Sequence, residues 1–528
     1  MPVVRTKGGY GVEYTDEAIM ANYKYTTTRV EKGEDGHVTV FPLDMELRFC
    51  TGRKRRRTGV MLVGWGGNNG TTVTAALVAH KHAITWRTKT GVKHPDYLGS
   101  ITQSSTMSLG LTSNMEEVFV PIKDVVPMLN PAELTVGGWD CNGMNIGDAM
   151  RRAQVLDVTL QDAVYDHLKD MQPLPAAFNI DFVAQNQSSR ADNVITADNK
   201  WDVVERLRRD IRTFREQHQL EEVVVLWTAN TERFSDHVDG IHDTADNLIE
   251  AIKRNESEIA PSLLYATAAI LEGCSYVNGA PQNTFCSGVV ELARRHGVFV
   301  VGDDFKSGQT KMKSGLVEFF TDAGIKAECI ASYNHLGNND GYNLASPQQF
   351  RSKEVTKSSV LDDMVLSNSI LYPPGSKRPD HCIVIKYLPY VGDSKRALDE
   401  YNFSIFMGGE QTVVMHNTCQ DSLLAAPLII DLVVLTELMG RVTVTSSAGG
   451  EHNGMSEKHS SYTHMDTVLS LLSYLLKAPR VPEGTPVVNG LNRQGQAIRN
   501  VLRALIGLPP DNNMLLECRL PFLRGAGQ

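Results

Sequence analysis

Short apolar runs that end in glycine or a polar residue recur along the N-terminal part of the chain: VMLVG (60–64), VVVLWTA (223–229) and VFVVG (298–302). None alternates in and out like a strand with one wet face, so each predicts a strand buried on both sides, as in a parallel sheet. Between them lie segments of helical period: NIGDAMRRAQVLDVTLQDAVYDHLKDM (145–171), DVVERLRRDIRTFREQH (202–218) and TADNLIEAIKRN (244–255). Strand and helix alternating in this way predict a doubly wound, Rossmann-like α/β domain. After about residue 310 the texture changes. AECIASYNHLGNNDGYNL (327–344), DHCIVIKYLPYVGDSKRALDEY (380–401) and YNFSIFMGGEQTVVMHNT (401–418) read as partly alternating strands, with a helix near 346–365. They predict a second α+β domain, for which an antiparallel sheet is one arrangement. SLLAAPLIIDLVVLTELM (422–439) is flanked by polar residues and reads as a buried helix, and the last hundred residues read as mainly helical. The expected division is 1–310 for the Rossmann-like domain, 311–425 for the α+β domain, and 426–528 returning to pack on the first.

At 528 residues the chain exceeds what one core supports. Its 42% hydrophobic and 21% charged content is that of a globular enzyme. The N-terminal MPVVRTKGGYGVEYTDEA lacks a hydrophobic signal core and no run reaches membrane-spanning length, so a cytosolic protein without membrane attachment is expected. The net charge of −9 argues against a nucleic-acid partner. RKRRR at 53–57 is a local exception, read either as a solvated turn before a strand or as a targeting or polyanion signal. The 8 cysteines form no Cys-x-x-Cys pair and read as free thiols.

In VMLVGWGGNNGTT (60–72), Gly64, Gly66 and Gly70 form Gly-x-Gly-x-x-x-Gly, one residue longer than the usual dinucleotide fingerprint. Glycines permit close backbone approach, and the free N–H groups of the following helix attract a pyrophosphate. NAD fits this context better than a nucleoside triphosphate, since no Gly-Lys-Ser/Thr follows; a structural glycine turn is the other reading. No acidic residue stands about twenty positions on, which leaves Asp140 as a candidate ribose partner. In VFVVGDDFKSGQTKMKSG (298–315), Asp303 and Asp304 follow a buried strand, where doubly wound sheets bind ligands. Ser307, Gly308, Gln309 and Thr310 would open a helix there as a second anion site, with Lys306, Lys311 and Lys313 adding positive charge. An N-capped helix with a solvated basic face is the alternative. Lys353 and Lys357 share a helical face, where like charges repel by roughly 0.2–0.5 kcal/mol. The polar loops NHLGNNDGYN (334–343) and GDSK (392–395) bracket them, so together they could enclose a phosphorylated polyol.

GWGGNNGTT (64–72), LWTANTERF (226–234), NGAPQNTF (278–285), GDDFKSGQTK (302–311), SYNHLGNNDGYNL (332–344), RSKEVTKSSV (351–360), GDSK (392–395) and HNTCQDSLLAAPL (416–428) resemble, in order, the myo-inositol-1-phosphate synthase family, also called inositol-3-phosphate synthase. The resemblance implies an isomerase that converts glucose 6-phosphate to inositol phosphate with NAD held throughout. C5 is oxidised, a C6 proton is removed, the enolate attacks the C1 aldehyde, and the ketone is reduced again. It implies that Gly66, Gly67, Asn68, Asn69 and Gly70 hold the pyrophosphate, and that Asp140, Ala229, Thr231, Gly279 and Asp304 surround the rest of NAD. Ser307, Gly308, Gln309 and Thr310 would take the substrate phosphate with Lys357 and Lys395. Lys353 and Lys477 would stabilise or shuttle protons at sugar oxygens. Asn334, Asn338, Asp340 and Asp421 would line the same pocket, with Asp421 also near the cofactor; Asp340 and Asp421 are carboxylates open to a monovalent or divalent cation. A homotetramer assembled through the second domain is also implied. WDCNGMN (139–145) and SEKHSSYTHMDTV (456–468) depart from the family's usual continuation, which bears on the contacts after Asp140 and on the approach to Lys477. An NAD-dependent sugar-phosphate dehydrogenase and a non-enzymatic NAD-responsive assembly protein are the competing readings; the lysine set is what a mere sensor would not require.

Overall fold

The computed structural model describes residues 4–9, 11–446 and 461–523. Six parallel strands form the central sheet. In spatial order they are Leu174–Pro175, Thr135–Asp140, Thr58–Val63, Glu222–Trp227, Ser275–Asn278 and Val300–Val301. Counted along the chain this is the order 3-2-1-4-5-6 of a dinucleotide-binding doubly wound sheet. The apolar runs became strands because both faces are covered. Val60 and Leu62 enter a core formed with helix Asp421–Gly440, while Met61 and Val63 enter another with helices Lys200–Gln217 and Pro261–Leu271. The direction of winding reverses between Thr58–Val63 and Glu222–Trp227, so a crevice opens beyond their C-terminal ends.

Helix Asp421–Gly440 is long and apolar enough to cross a membrane, yet most of it is buried inside the protein. Its interior Asp431 is satisfied by Ser100 Oγ at 2.6 Å, Thr102 Oγ1 at 2.6 Å and the Ile101 N–H at 2.7 Å. The second sheet is mixed. Strands Lys326–Leu336 and Asp380–Tyr387 run parallel, whereas Lys326–Leu336, Ser394–Ile405 and Gly409–Gln420 pair antiparallel. A third sheet joins Val12–Tyr14, the long hairpin Ala18–Lys32 and Val38–Gly52, and the returning strand Val442–Ser446.

One sequence expectation is corrected. The described part of the last hundred residues is not mainly helical: between the helices ending at Gly440 and starting at Leu491, the described chain contains the strand Val442–Ser446, one 3-10 turn, Ser470–Leu475, and irregular backbone. Just before the 3-10 turn Ser470–Leu475 the main chain is bonded to the edge of the central sheet, Val300 N to Thr467 O at 2.9 Å and Leu469 N to Val300 O at 3.1 Å. Residues 456–460 of the departing SEKHS stretch lie outside the described residues.

Candidate active site

The glycine turn sits at the crevice. Gly64 has φ +86°, and a Cβ there would lie 2.6 Å from Ala229 Cα, so only glycine lets the ends of the two central strands approach. A Cβ on Gly70 would stand 2.3 Å from the Trp65 carbonyl oxygen, which explains the second small residue where helix Asn68–Lys81 packs on its own turn. Trp139 O accepts from Gly64 N at 2.8 Å and Trp65 N at 3.0 Å. Asp140 completes the hold: its two carboxylate oxygens accept from Gly66 N and Asn142 N, each at 2.9 Å. Asp140 therefore lines the cavity while pinning the turn, and burial raises its pKa against those backbone donors.

Two helices begin at this cavity with no side chain bonded to their first N–H groups. Asn68–Lys81 starts after Gly67, and Gly308–Asp322 starts after an extended Ser307 that makes no cap bond; neither has an acidic residue in its first turn. Two other helix starts at the cavity are filled: Ser262 N of Pro261–Leu271 donates to Glu232 at 3.2 Å, and Ser422 N of Asp421–Gly440 donates to Asp393 at 3.0 Å. Unfilled N–H donors at a helix start form an anion site reinforced by the helix dipole. The same cavity thus offers two places for phosphate, one at Gly67, Asn68 and Asn69 and one at Ser307.

Four lysines face the space between them: Lys353, Lys357, Lys395 and Lys477. Asp304 is the hub. Its carboxylate oxygens accept from Lys353 Nζ and Lys477 Nζ, each at 3.1 Å, and Thr356 Oγ1 stands 3.4 Å away. Burial works against ionising Asp304, but the two lysines outweigh it and hold its pKa below the usual value. The lysines divide. Burial disfavours the Lys353 ammonium, yet Asp304 and Asp340 outweigh that and raise its pKa, so it stays charged. Burial brings Lys477 down to about 8, with Asp304 opposing and Lys353 and Lys395 assisting. Lys357 is pushed well below the ordinary lysine value by burial and then by the surrounding lysines; its Nζ donates to Asn334 Oδ1 at 3.0 Å and Gln309 Oε1 at 3.3 Å. Lys395 approaches Asp421 at 3.8 Å.

The remaining predicted residues gather here with different tasks. Asp340 accepts from Thr231 N at 2.8 Å and Thr231 Oγ1 at 3.1 Å, joining the two sheets. Asn338 caps the short helix Asn339–Asn343. Gly279 leaves room for the Phe305 ring, which a Cβ would meet at 2.0 Å. Gln309 is turned inward, its amide donating to Asp399 at 2.7 Å and Ser332 at 3.0 Å, and Thr310 is buried beside it. Lys306, Lys311 and Lys313 do not supply the positive charge expected of them, since none lines the cavity. Lys306 is buried on Gln494 at 2.7 Å, Lys311 lies over the Tyr474 ring, and Lys313 is bonded to Ser332 and His381.

Sequence reading missed Asp393. It is buried, accepts from Ser422 N and Oγ, and receives Asn68 Nδ2 at 3.3 Å, tying the glycine turn to the second sheet. Its signal was its place in GDSK, two residues before Lys395. Among the described residues no group of three or more His, Cys, Asp or Glu side chains converges as a metal site.

The chain matches the family described as myo-inositol-1-phosphate synthase over residues 58–503. It is 80% identical to the inositol-3-phosphate synthase of Trypanosoma brucei brucei over 100% of both chains. It is 54% identical to inositol-3-phosphate synthase 1 of Mus musculus, across 96% of this chain and 89% of that one. Among solved structures, the inositol-3-phosphate synthase of Caenorhabditis elegans superposes with a TM-score of 0.93 at 49% identity, covering 98% of this chain and 99% of that one.

Proposed function

The chain belongs to the myo-inositol-1-phosphate synthase family, and from that membership we propose that it is an isomerase converting D-glucose 6-phosphate to 1D-myo-inositol 3-phosphate with NAD. The observation that carries this reading is the convergence on one cavity of four lysines and two helix starts whose first N–H groups no side chain fills. The glycine turn fits a dinucleotide, because its backbone N–H groups are reachable only where side chains are missing.

When bound, NAD supplies a reversible two-electron store, so that the sugar is oxidised and reduced within one cycle. Gly66, Gly67, Asn68, Asn69 and Gly70 would hold its pyrophosphate, with Asp140, Ala229, Thr231, Gly279, Asp304 and Asp421 around the remainder. Ser307 and Gly308 present the helix start to the sugar phosphate, Gln309 and Thr310 brace it, and Lys357 and Lys395 neutralise it. Lys353, kept charged, opposes negative charge on the sugar oxygens as it develops. Lys477, with a pKa of about 8, takes and returns a proton at a sugar hydroxyl near neutral pH. Asn334 and Asn338 orient the lysine and the loop that face the substrate, and Asp340 holds Lys353. A requirement for a monovalent or divalent cation is tested by activity in buffers that differ only in that ion.

Turnover with NAD far below substrate tests the reading: many equivalents of inositol phosphate per NAD support it, and stoichiometric release of reduced cofactor would indicate a dehydrogenase instead. A homotetramer is part of the proposal. Tyr333, Leu398 and Val414 stand exposed on the same outer face of the second sheet, at 47%, 46% and 59%, next to the unpaired edge of Gly409–Gln420. Light scattering that returns a monomer mass would remove it. A cytoplasmic location is the accompanying expectation, checked by imaging a tagged chain.

A further inference from the structure

Asp303 and Asp304 are adjacent but serve opposite sides of the backbone. Asp304 grips the lysines. Asp303, only 1% exposed, accepts from Arg480 Nε at 2.6 Å and from Asn278 Nδ2 at 2.6 Å. Asn278 ends a fully buried strand of the central sheet, so this carboxylate is anchored to that sheet. Arg480 stands three residues beyond Lys477, on the segment that returns along the sheet edge.

That segment is laid against residues 302–306 by its main chain. Asp303 N donates to Ala478 O at 2.7 Å, Lys477 N to Asp304 O at 2.7 Å, Arg480 N to Gly302 O at 2.8 Å and Lys306 N to Leu475 O at 2.9 Å. Asp304 itself has φ +59°, a left-handed conformation costly for a residue with a side chain, which persists only where its surroundings enforce it. The bonds on either side of Asp304 therefore set both its carboxylate and Lys477. Arg480 closes the arrangement from outside. It does not line the cavity, and its side chain is 38% exposed while its partner carboxylate is buried. Removing one member of such a pair leaves an uncompensated buried charge, so the contact resists separation.

We infer that the Asp303–Arg480 ion pair is a positioning device for Lys477, clamping the return segment to the sheet so that Lys477 Nζ stays within reach of Asp304 and the substrate. The inference rests on the proposed role of Lys477 in proton transfer. Neither Asp303 nor Arg480 touches the sugar; both act through the lysine. Burial lifts the Asp303 carboxyl to about 6 against the pull of Arg480, consistent with a group whose charge depends on this contact.

The test is a double-mutant cycle on turnover, with NAD and substrate affinities measured in parallel. Arg480→Ala is expected to lower kcat roughly 10- to 100-fold, the scale of a catalytic group displaced by about an ångström, while KM and NAD affinity change little. Arg480→Lys should recover part of the loss. In a Lys477→Ala background, Arg480→Ala should cost nothing further, because its target is gone. Normal kcat in Arg480→Ala, or losses that multiply in the double variant, would overturn the inference. If Lys477→Ala alone keeps normal turnover, the role of Lys477 fails instead, so the two failures are distinguishable. Should Arg480→Ala not fold, Arg480→Gln and Asp303→Asn carry the same cycle.

Discussion

Replacing Asp304 by asparagine removes the one carboxylate that two lysines share while keeping its shape. At the observed 3.1 Å, and with an effective dielectric near 20, each contact amounts to about 5 kcal/mol before desolvation is subtracted. The net worth of a charge-assisted hydrogen bond is about 1.5–3 kcal/mol. Since one pKa unit corresponds to about 1.4 kcal/mol, Lys477 should fall by about one to two units from its starting value of about 8. The sign is fixed by the charge removed: an ammonium that loses its counter-ion gives up its proton at lower pH. Lys353 should fall as well and lose part of its charge under working conditions. The assay is kcat against pH for both proteins, with thermal melting to show that the variant is folded. Asp304→Asn is expected to shift the limb near pH 8 downward by about one to two units and to lower maximal turnover by roughly 10²–10⁴-fold. A limb that stays in place with turnover unchanged would refute the assignment of Asp304 as the hub of the lysine pair.

Other expectations follow from the same geometry. Lys353→Ala should cut turnover by roughly 10²–10⁴-fold yet leave NAD binding, followed by cofactor fluorescence, near normal. Because Lys357 is held below the ordinary lysine value by burial and its cationic neighbours, an arriving phosphate dianion should protonate it; calorimetry in buffers of different ionisation heat should show proton uptake on sugar-phosphate binding. Gly70→Ala places a Cβ 2.3 Å from the Trp65 carbonyl oxygen, and such overpacking costs about 1–3 kcal/mol, so NAD affinity and the melting temperature should both drop. Glu232 is buried, with a pKa raised by that burial to about 8. A carboxyl raised above its unfolded value favours folding at low pH and loses that advantage as pH climbs from about 4.5 to 8. Glu232→Gln should therefore melt higher than the parent at pH 8, with the difference shrinking towards pH 5.

What was legible in the sequence was local. VMLVG and VVVLWTA read as buried strands because their apolar runs have no wet face, and the glycine spacing of 64–70 located the turn that follows. Lys353 and Lys357 could be placed on one helical face from spacing alone. The hub could not be read in this way: Asp304 meets Lys353 across 49 positions and Lys477 across 173, so no local pattern reports those contacts. Gln309 was legible as part of a helix start but not as a side chain turned towards Asp399, which lies 90 positions away. Lys306, Lys311 and Lys313 looked like extra phosphate cations because charge density says nothing about direction. The mainly helical reading of the last hundred residues did not anticipate that Thr467 and Leu469 bond to Val300 at a sheet edge more than 160 positions away.

The central claim is that electrons are lent and recovered at one carbon within one cavity. Glucose 6-phosphate deuterated at C5, supplied with substoichiometric unlabelled NAD, tests it most directly by mass and magnetic resonance analysis of the product. The account predicts inositol phosphate that retains deuterium at the corresponding carbon through many turnovers per NAD. Loss of the label to solvent or to the free cofactor pool, with product still forming, would contradict it.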